Sequence, residues 1–144
     1  MSNVAVVYWS DTGNTEAMAK FVAEGIQSAG GSAEIITADN FGPDRVSAYD
    51  AIAFGCPAMG DEILEEDIFE PMFTAVEGLL SGKKVGIFGS YDWGDGQWMR
   101  EWAERVTGEG ATVVNGEGLI CQETPDDAMI EECKNLGKAL AANA

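Results

Sequence analysis

The sequence predicts an α/β fold: a doubly wound, five-stranded parallel sheet with helices on both faces. Three observations carry that prediction. Short apolar runs recur along the chain, and the segments between them space their apolar residues with helical rather than alternating period. Strands apolar throughout and separated by helices mark a sheet buried on both faces, because right-handed crossover helices cover each side in turn. The first run also passes through a hydroxyl-rich turn, Ser10-Asp11-Thr12-Gly13-Asn14-Thr15, directly into the first helical segment. At 144 residues the chain fits one domain, 1–144, with one substantial core.

The first strand is expected at 4–9, the run Val4-Ala5-Val6-Val7-Tyr8-Trp9. A helix over 15–29 follows, with Met18, Phe21, Val22, Gly25, Ile26 and Ala29 close to i, i+3, i+4, i+7 spacing. The second strand falls at 33–37. The stretch 39–47, containing Gly42-Pro43, reads as either a loop or a short irregular helix. Strand three is 51–55. A helix over 68–80 turns Met72, Val76 and Leu79/Leu80 inward, and Pro71 leaves its start open because proline is comfortable only in a first turn. Strand four at 85–89 leads to a helix over 98–106, where Trp98 and Trp102 lie one turn apart on the core side. A strand over 112–120 and a helix over 126–142 complete the pattern. No repeat, low-complexity tract or linker interrupts it.

Composition narrows the function. Apolar residues make up 46% of the chain, yet no apolar run reaches 18 residues, so no membrane span is expected. No basic segment precedes an apolar one at the N-terminus, as a secretory signal would require, and a cytoplasmic location is expected. Cys56, Cys121 and Cys133 are scattered, form no C-x-x-C pair and have no histidine to work with. No metal is therefore expected, and each cysteine is expected to be buried and structural. The net charge of −17, from 25 acidic and 8 basic residues, repels nucleic acid and anionic membranes. By itself that charge reads first as solubility; the alternative, which the loop motifs below favour, is fast, salt-sensitive docking onto basic patches of a partner.

The turn at residues 10–15 is built to hold a phosphate. Its backbone offers N–H donors, the helix N-terminus adds partial positive charge, and Ser10, Thr12 and Thr15 add hydroxyls. No Lys or Arg occurs between Met1 and Glu16, which excludes a P-loop, and the G-x-G-x-x-G dinucleotide fingerprint is absent. Neutral donors alone point to a monophosphate cofactor kept in place. Two further polar loops, Ala58-Met59-Gly60-Asp61-Glu62 and Ser90-Tyr91-Asp92-Trp93-Gly94-Asp95-Gly96, follow the third and fourth strands. In a doubly wound sheet the loops after strands one, three and four gather at the carboxyl end, where ligands sit. Trp93, in so polar and glycine-rich a loop, is better explained by stacking on a flat ligand than by core packing.

These three motifs, in order and each behind a strand, resemble those of the flavodoxins, over nearly the whole chain. The resemblance implies the flavodoxin-like strand order 2-1-3-4-5, which patterning alone does not fix, and non-covalently bound FMN as cofactor. It places Ser10, Asp11, Thr12, Gly13, Asn14 and Thr15 around the phosphate. Met59 would then cover one flavin face and Trp93 the other, and Glu62 would bond the ring N3–H. Gly60 would carry the peptide that turns over to accept a hydrogen bond from N5–H of the neutral semiquinone. Ala58, Asp61, Ser90, Tyr91, Asp92 and Gly94 complete the cofactor loops. Trp9, at the end of strand one, reads either as core or, beside the phosphate loop, as a ribityl contact. Asp92 stands where close relatives often carry glycine, so a turn needing positive φ there would strain it. The chain also lacks the long insertion in the last strand that marks the other flavodoxin subgroup, placing it with the short-chain members.

Acids crowd this end: Asp61, Glu62, Glu65, Glu66, Asp67, Glu70, Asp92 and Asp95, most of them expected as solvated surface. Two unit charges about 10 Å apart interact by roughly 0.4–1.7 kcal/mol at effective dielectrics of ~80 to ~20. At ~59 mV per tenfold for one electron, each acid lowers the potential of an anionic hydroquinone by about 20–70 mV. The resemblance thus implies a low-potential one-electron carrier shuttling between semiquinone and hydroquinone, expected to be monomeric, with no turnover of its own. Its partners would be redox enzymes: ferredoxin- or flavodoxin-dependent oxidoreductases, hydrogenase or nitrogenase. The alternative is a flavodoxin-like NAD(P)H-dependent FMN/quinone reductase, but Met59 and Trp93 would leave a second substrate little room, and no basic cluster near the loops awaits NADPH phosphates. A signalling receiver domain is excluded differently. Strand three runs into Gly55-Cys56-Pro57 instead of ending in an aspartate, and no lysine lies between Lys84 and Lys134.

Overall fold

Strand β1 (Asn3–Tyr8) lies second in a parallel sheet of order β2-β1-β3-β4-β5, formed with β2 (Ser32–Thr37), β3 (Ala51–Gly55), β4 (Lys84–Tyr91) and β5 (Thr112–Val113). These elements come from a computed structural model that describes residues 3–11, 13–59, 63–92 and 94–143. Helices α1 (Asn14–Ser28) and α4 (Asp127–Asn143) cover one face, while α2 (Phe69–Val76) and α3 (Gln97–Gly108) cover the other. Alternate residues of β1 divide between the two cores. Val4 and Val6 pack with Met18, Val22 and Leu140, whereas Ala5 and Val7 pack with Phe73, Trp102 and Val106. Strand β3, buried at every residue, is central, and β2 forms an exposed edge. The order 2-1-3-4-5 is therefore present as expected.

The strand expected over 112–120 is instead two pieces. β5 ends at Val113, and β6 (Leu119–Gln122) resumes beside the second half of β4. Between them the backbone turns through Asn115 and two glycines, with Gly116 N–H donating to Val113 O and Gly118 N–H to Asn115 O. The Asn115 side chain stands in for the missing strand. Its Nδ2 donates to Ile87 O at 2.8 Å and its Oδ1 accepts Ile87 N–H at 3.4 Å. An amide side chain has the same donor and acceptor as a peptide, so the β4 ladder continues without the backbone.

Smaller differences have similarly local causes. The ambiguous stretch 39–47 is two 3-10 turns, Ala38–Asn40 and Pro43–Ala48. Pro71 sits in the first turn of α2, where its missing N–H costs nothing. The last turn expected of that helix tightens to a 3-10 segment, Glu77–Leu79, which keeps Leu80 inside and turns Leu79 outward. All three cysteines are buried thiols, as expected, and burial pushes Cys133 up to about 12.

On the α1–α4 face the two helices cross at glycines. A methyl group on Gly25 would fall against the Lys134 carbonyl, and one on Gly137 against the Val22 carbonyl and the Ile26 amide. The opposite face is aromatic: Phe54, Phe69, Phe73 and Trp102 meet mostly edge to face, with centroids 5.1–5.7 Å apart for Phe54–Phe73, Phe69–Trp102 and Phe73–Trp102. Trp102 is only 1% exposed, yet its indole N–H has no hydrogen-bond partner among the described residues. A buried unpaired donor costs about 1–3 kcal/mol. Trp102→Phe is therefore expected to change stability by less than about 1 kcal/mol, the lost packing being offset by removal of that N–H. A urea titration checks this, and a loss near the ~3–5 kcal/mol of a full truncation would show that the N–H is satisfied in solution.

Arg105 ties α3 to α2. It donates to both Glu70 oxygens at 2.9 and 2.7 Å and to both Glu77 oxygens at 2.8 and 2.9 Å, with its guanidinium 4.9 Å from the Phe73 ring centroid. The Arg105 hydrogen bonds hold the Glu70 carboxyl below its ordinary 4.5, against the opposing effect of burial. A carboxylate whose folded pKa is lowered contributes stability that is fully present above the ordinary value and lost as pH falls through the folded one. Glu70→Gln should thus destabilise the protein at pH 7, and the gap from wild type should close below pH 4.5. Denaturant melts at several pH values measure it; a gap that persists unchanged into acid would deny Glu70 this role.

Candidate functional site

The three loops singled out above do meet at the carboxyl end of the sheet, and Ser90 is where they join. Thr15, at the start of α1, is fully buried, and its hydroxyl lies 2.9 Å from Ser90 Oγ. The same Thr15 oxygen accepts Ser90 N–H at 3.3 Å. On the other side Ala58 N–H donates to Ser90 O at 3.0 Å. First, second and third loops are thereby fastened to one residue at the end of β4. Ser90 is itself buried, its hydroxyl engaged by Thr15.

The first loop begins as β1 ends, with Trp9 N–H bonded to Gly55 O at 3.0 Å. Gly13 caps α1 with φ 94°, a left-handed conformation that glycine adopts without strain. Its N–H donates to Ser10 Oγ at 3.1 Å. The first backbone bond of the helix runs from Ala17 N–H to Gly13 O, so Asn14, Thr15 and Glu16 have N–H groups with no partner inside the helix, and among the described residues no side chain caps them. Ser10, Gly13 and Asn14 are half-buried and Asp11 is exposed. Trp9 is half-buried against the aromatic core and borders a surface depression of about 200 Å³ that Ser10, Glu16 and Ile68 also line.

In the second loop Ala58 and Met59 are half-buried. Met59 and Ile63 exchange both backbone hydrogen bonds, at 2.8 and 3.0 Å. The chain leaving β3 crosses directly over Gly89, where a Cβ would strike the Cys56 carbonyl; that carbonyl accepts Trp98 Nε1–H at 3.3 Å. Burial raises the Cys56 thiol far above its ordinary range, keeping it protonated. In the third loop Tyr91 is half-buried with its ring 5.6 Å from that of Trp98, while Asp92 and Gly94 are exposed. Asp92 does not take positive φ, so the strain anticipated for an aspartate there does not arise. Gly96, at φ 90°, caps α3. Thr12, Gly60, Asp61, Glu62 and Trp93 lie outside the described residues.

Two parts of the neighbourhood escaped the sequence reading. Residues at the end of β6 and just after it bracket the first and third loops: Glu123 N–H donates to Tyr91 O at 2.8 Å, Gln122 Nε2 to Asp92 O at 3.4 Å, and Thr124 Oγ1 to Asn14 Oδ1 at 3.3 Å. Glu123 holds φ 61°, uncommon for a residue with a side chain. The rule that loops at strand carboxyl ends build the site could have found this segment. The other is Glu65, expected among the solvated acids. It is buried, with its carboxylate turned onto backbone N–H groups.

The flavodoxin family model matches residues 6–137. The flavodoxin of Megasphaera elsdenii is 48% identical over 138 residues, spanning 96% of this chain and 98% of its own length. This chain belongs to the flavodoxin family. The flavodoxin of Clostridium beijerinckii is 46% identical over 94% of this chain and 97% of its own. Among solved structures, two-electron reduced M. elsdenii flavodoxin superposes with a TM-score of 0.88 at 47% identity, covering 96% of this chain and 98% of that one. A flavodoxin from the domain Archaea gives a TM-score of 0.86 at 29% identity, covering 97% and 96%.

Family membership makes this flavodoxin an FMN-carrying electron-transfer protein rather than an enzyme. The donors at residues 10–15 fit that cofactor. N–H groups at the start of α1 with no partner among the described residues, flanked by neutral hydroxyls, suit a monophosphate, which needs no lysine. Among the described residues no helix is long and apolar enough to cross a membrane.

Proposed function

We propose that residues 1–144 act as one flavodoxin domain, a low-potential carrier that passes single electrons by cycling its FMN between semiquinone and hydroquinone. The joining of all three loops at Ser90 carries this reading, since one buried residue fixes the phosphate loop relative to the loops that would flank the flavin ring. Ser10 to Thr15 would hold the phosphate. Met59 and Trp93 would cover the ring, Gly60 would supply the switching peptide, and Glu62 would bond N3–H, with Ala58, Asp61, Tyr91, Asp92 and Gly94 framing them. Bound FMN supplies the one-electron chemistry; the chain excludes water, orients the ring and surrounds it with negative charge. A net charge of −17 suits a monomer docking transiently, in the cytoplasm, onto basic patches of redox enzymes such as flavodoxin-dependent oxidoreductases, hydrogenase or nitrogenase.

Stepwise dithionite reduction followed by visible spectroscopy tests the reading. A yellow protein should turn blue before bleaching, the colour of a flavin that has taken one electron and one proton. Direct two-electron bleaching would instead favour an NAD(P)H-dependent FMN/quinone reductase, and NADH and NADPH oxidation assays would follow. A preparation that takes up no FMN would defeat both.

A further inference from the structure

We propose that the crevice between the carboxyl ends of β1 and β2 is a docking slot for an arginine side chain of a redox partner. The inference rests on the carrier reading above and names the group by which that carrier is held. The crevice has a volume of about 200 Å³, and Trp9, Glu16, Asp39 and Ile68 are among the residues that line it. Small-molecule pockets run to about 300–1,000 Å³, so this one has the scale of a single side chain. It lies on the β2 side of β1. Strands β3 and β4, whose loops would flank the flavin ring, lie on the other side.

The lining is of two kinds. Trp9 is half-buried against the aromatic core, and Ile68, at the entrance to α2, is 40% exposed, an open position for a large apolar side chain. Glu16, in the first turn of α1, and Asp39, in the 3-10 turn Ala38–Asn40, add two carboxylates. The Tyr8 hydroxyl donates to Glu16 Oε2 at 3.2 Å and so steadies that carboxylate. Among the described residues neither acid is in an ion pair, because Arg45, Arg100 and Arg105 pair elsewhere, with Glu34, Asp95, Glu70 and Glu77. Unneutralised carboxylates beside an indole and an aliphatic side chain are complementary to a cation on an apolar stem. Arginine fits better than lysine. Its planar guanidinium stacks on an aromatic ring, donates to carboxylates through several N–H groups at once, and is less strongly hydrated than an ammonium. Arginine and tryptophan are also the side chains that most often dominate binding at protein interfaces.

The probe is an acetylated and amidated tetra-arginine peptide, titrated into the FMN-loaded protein with the matching tetra-lysine peptide for comparison. The reporter is the NMR resonance of the Trp9 indole N–H, assigned by its loss in Trp9→Phe. Tetra-arginine should shift it along a saturating curve, and tetra-lysine should bind more weakly. Asp39→Asn should weaken binding of tetra-arginine about threefold, the scale of one exposed ion pair. Ile68→Ala should weaken it as well, without any change of charge. Asp44→Asn, at an exposed acid that does not line the crevice, should bind almost as wild type does. Equal affinity for the two peptides, or equal losses in Asp39→Asn and Asp44→Asn, would show a diffuse acidic surface and overturn the slot. A Trp9 resonance that does not move would overturn it too. The carrier reading fails separately, on the dithionite reduction, and its failure does not move the Trp9 resonance.

Discussion

Replacing Gly137 by alanine is expected to destabilise the fold by about 3 kcal/mol, the upper part of the range for overpacking a close-fitted contact. The new methyl would meet backbone atoms of α1, the Val22 carbonyl and the Ile26 amide, and backbone cannot rotate aside as a side chain can. Gly25→Ala should behave alike, because its methyl meets the Lys134 carbonyl of α4. At about 2–4 °C per kcal/mol for a chain of this size, Tm should fall by roughly 6–12 °C. Gly108→Ala supplies the contrast. That glycine ends α3 without positive φ and has nothing within 4 Å of its would-be Cβ, so alanine should stabilise by about 0.4–1 kcal/mol. Calorimetry on the three variants decides the matter. Equal effects at positions 25, 137 and 108 would mean that helix propensity, not the crossing, governs them.

Thr15→Val should lower FMN affinity roughly ten- to a hundredfold, or about 1.4–2.8 kcal/mol. Valine matches threonine in shape but removes the oxygen that holds both Ser90 Oγ and Ser90 N–H. A buried N–H left without its acceptor costs about 1–3 kcal/mol, and bringing the first and third loops back into register would draw on the energy of binding. Thr15→Ser, which restores the hydroxyl, should recover most of the affinity. Titrating FMN against the FMN-free variants measures this. A valine variant that loses stability but binds FMN as wild type does would reduce the Thr15–Ser90 contact to a folding element.

Much of this architecture was readable because it rests on patterns that physics makes periodic. Strands β1, β3 and β4 are apolar on both faces, and α1 spaces its apolar residues by turns, so their boundaries fall within one or two residues of expectation. Strand five did not, because Asn115 replaces backbone with side chain in the β4 ladder, and an asparagine followed by glycine looks like any other turn. The loops were legible as motifs and by their place at the strand ends. Their fastening at Ser90 was not, since the bonds run between residues 75 positions apart. Glu65 was misread for a related reason: a run of acids looks solvated until one carboxylate is found turned inward onto three amides.

The glycine crossing of α1 and α4 also bears on how the protein is made. The helix that opens the phosphate loop is among the first elements to be synthesised, and the helix that locks over it comes after every other element of this fold. While the chain emerges, α1 has its sheet face available but not the close partner on its outer flank. Affinity for the cofactor would then be acquired late and all at once, when α4 docks. Ribosome-bound chains stopped before residue 127 should already pair β1 with β3, yet retain no flavin.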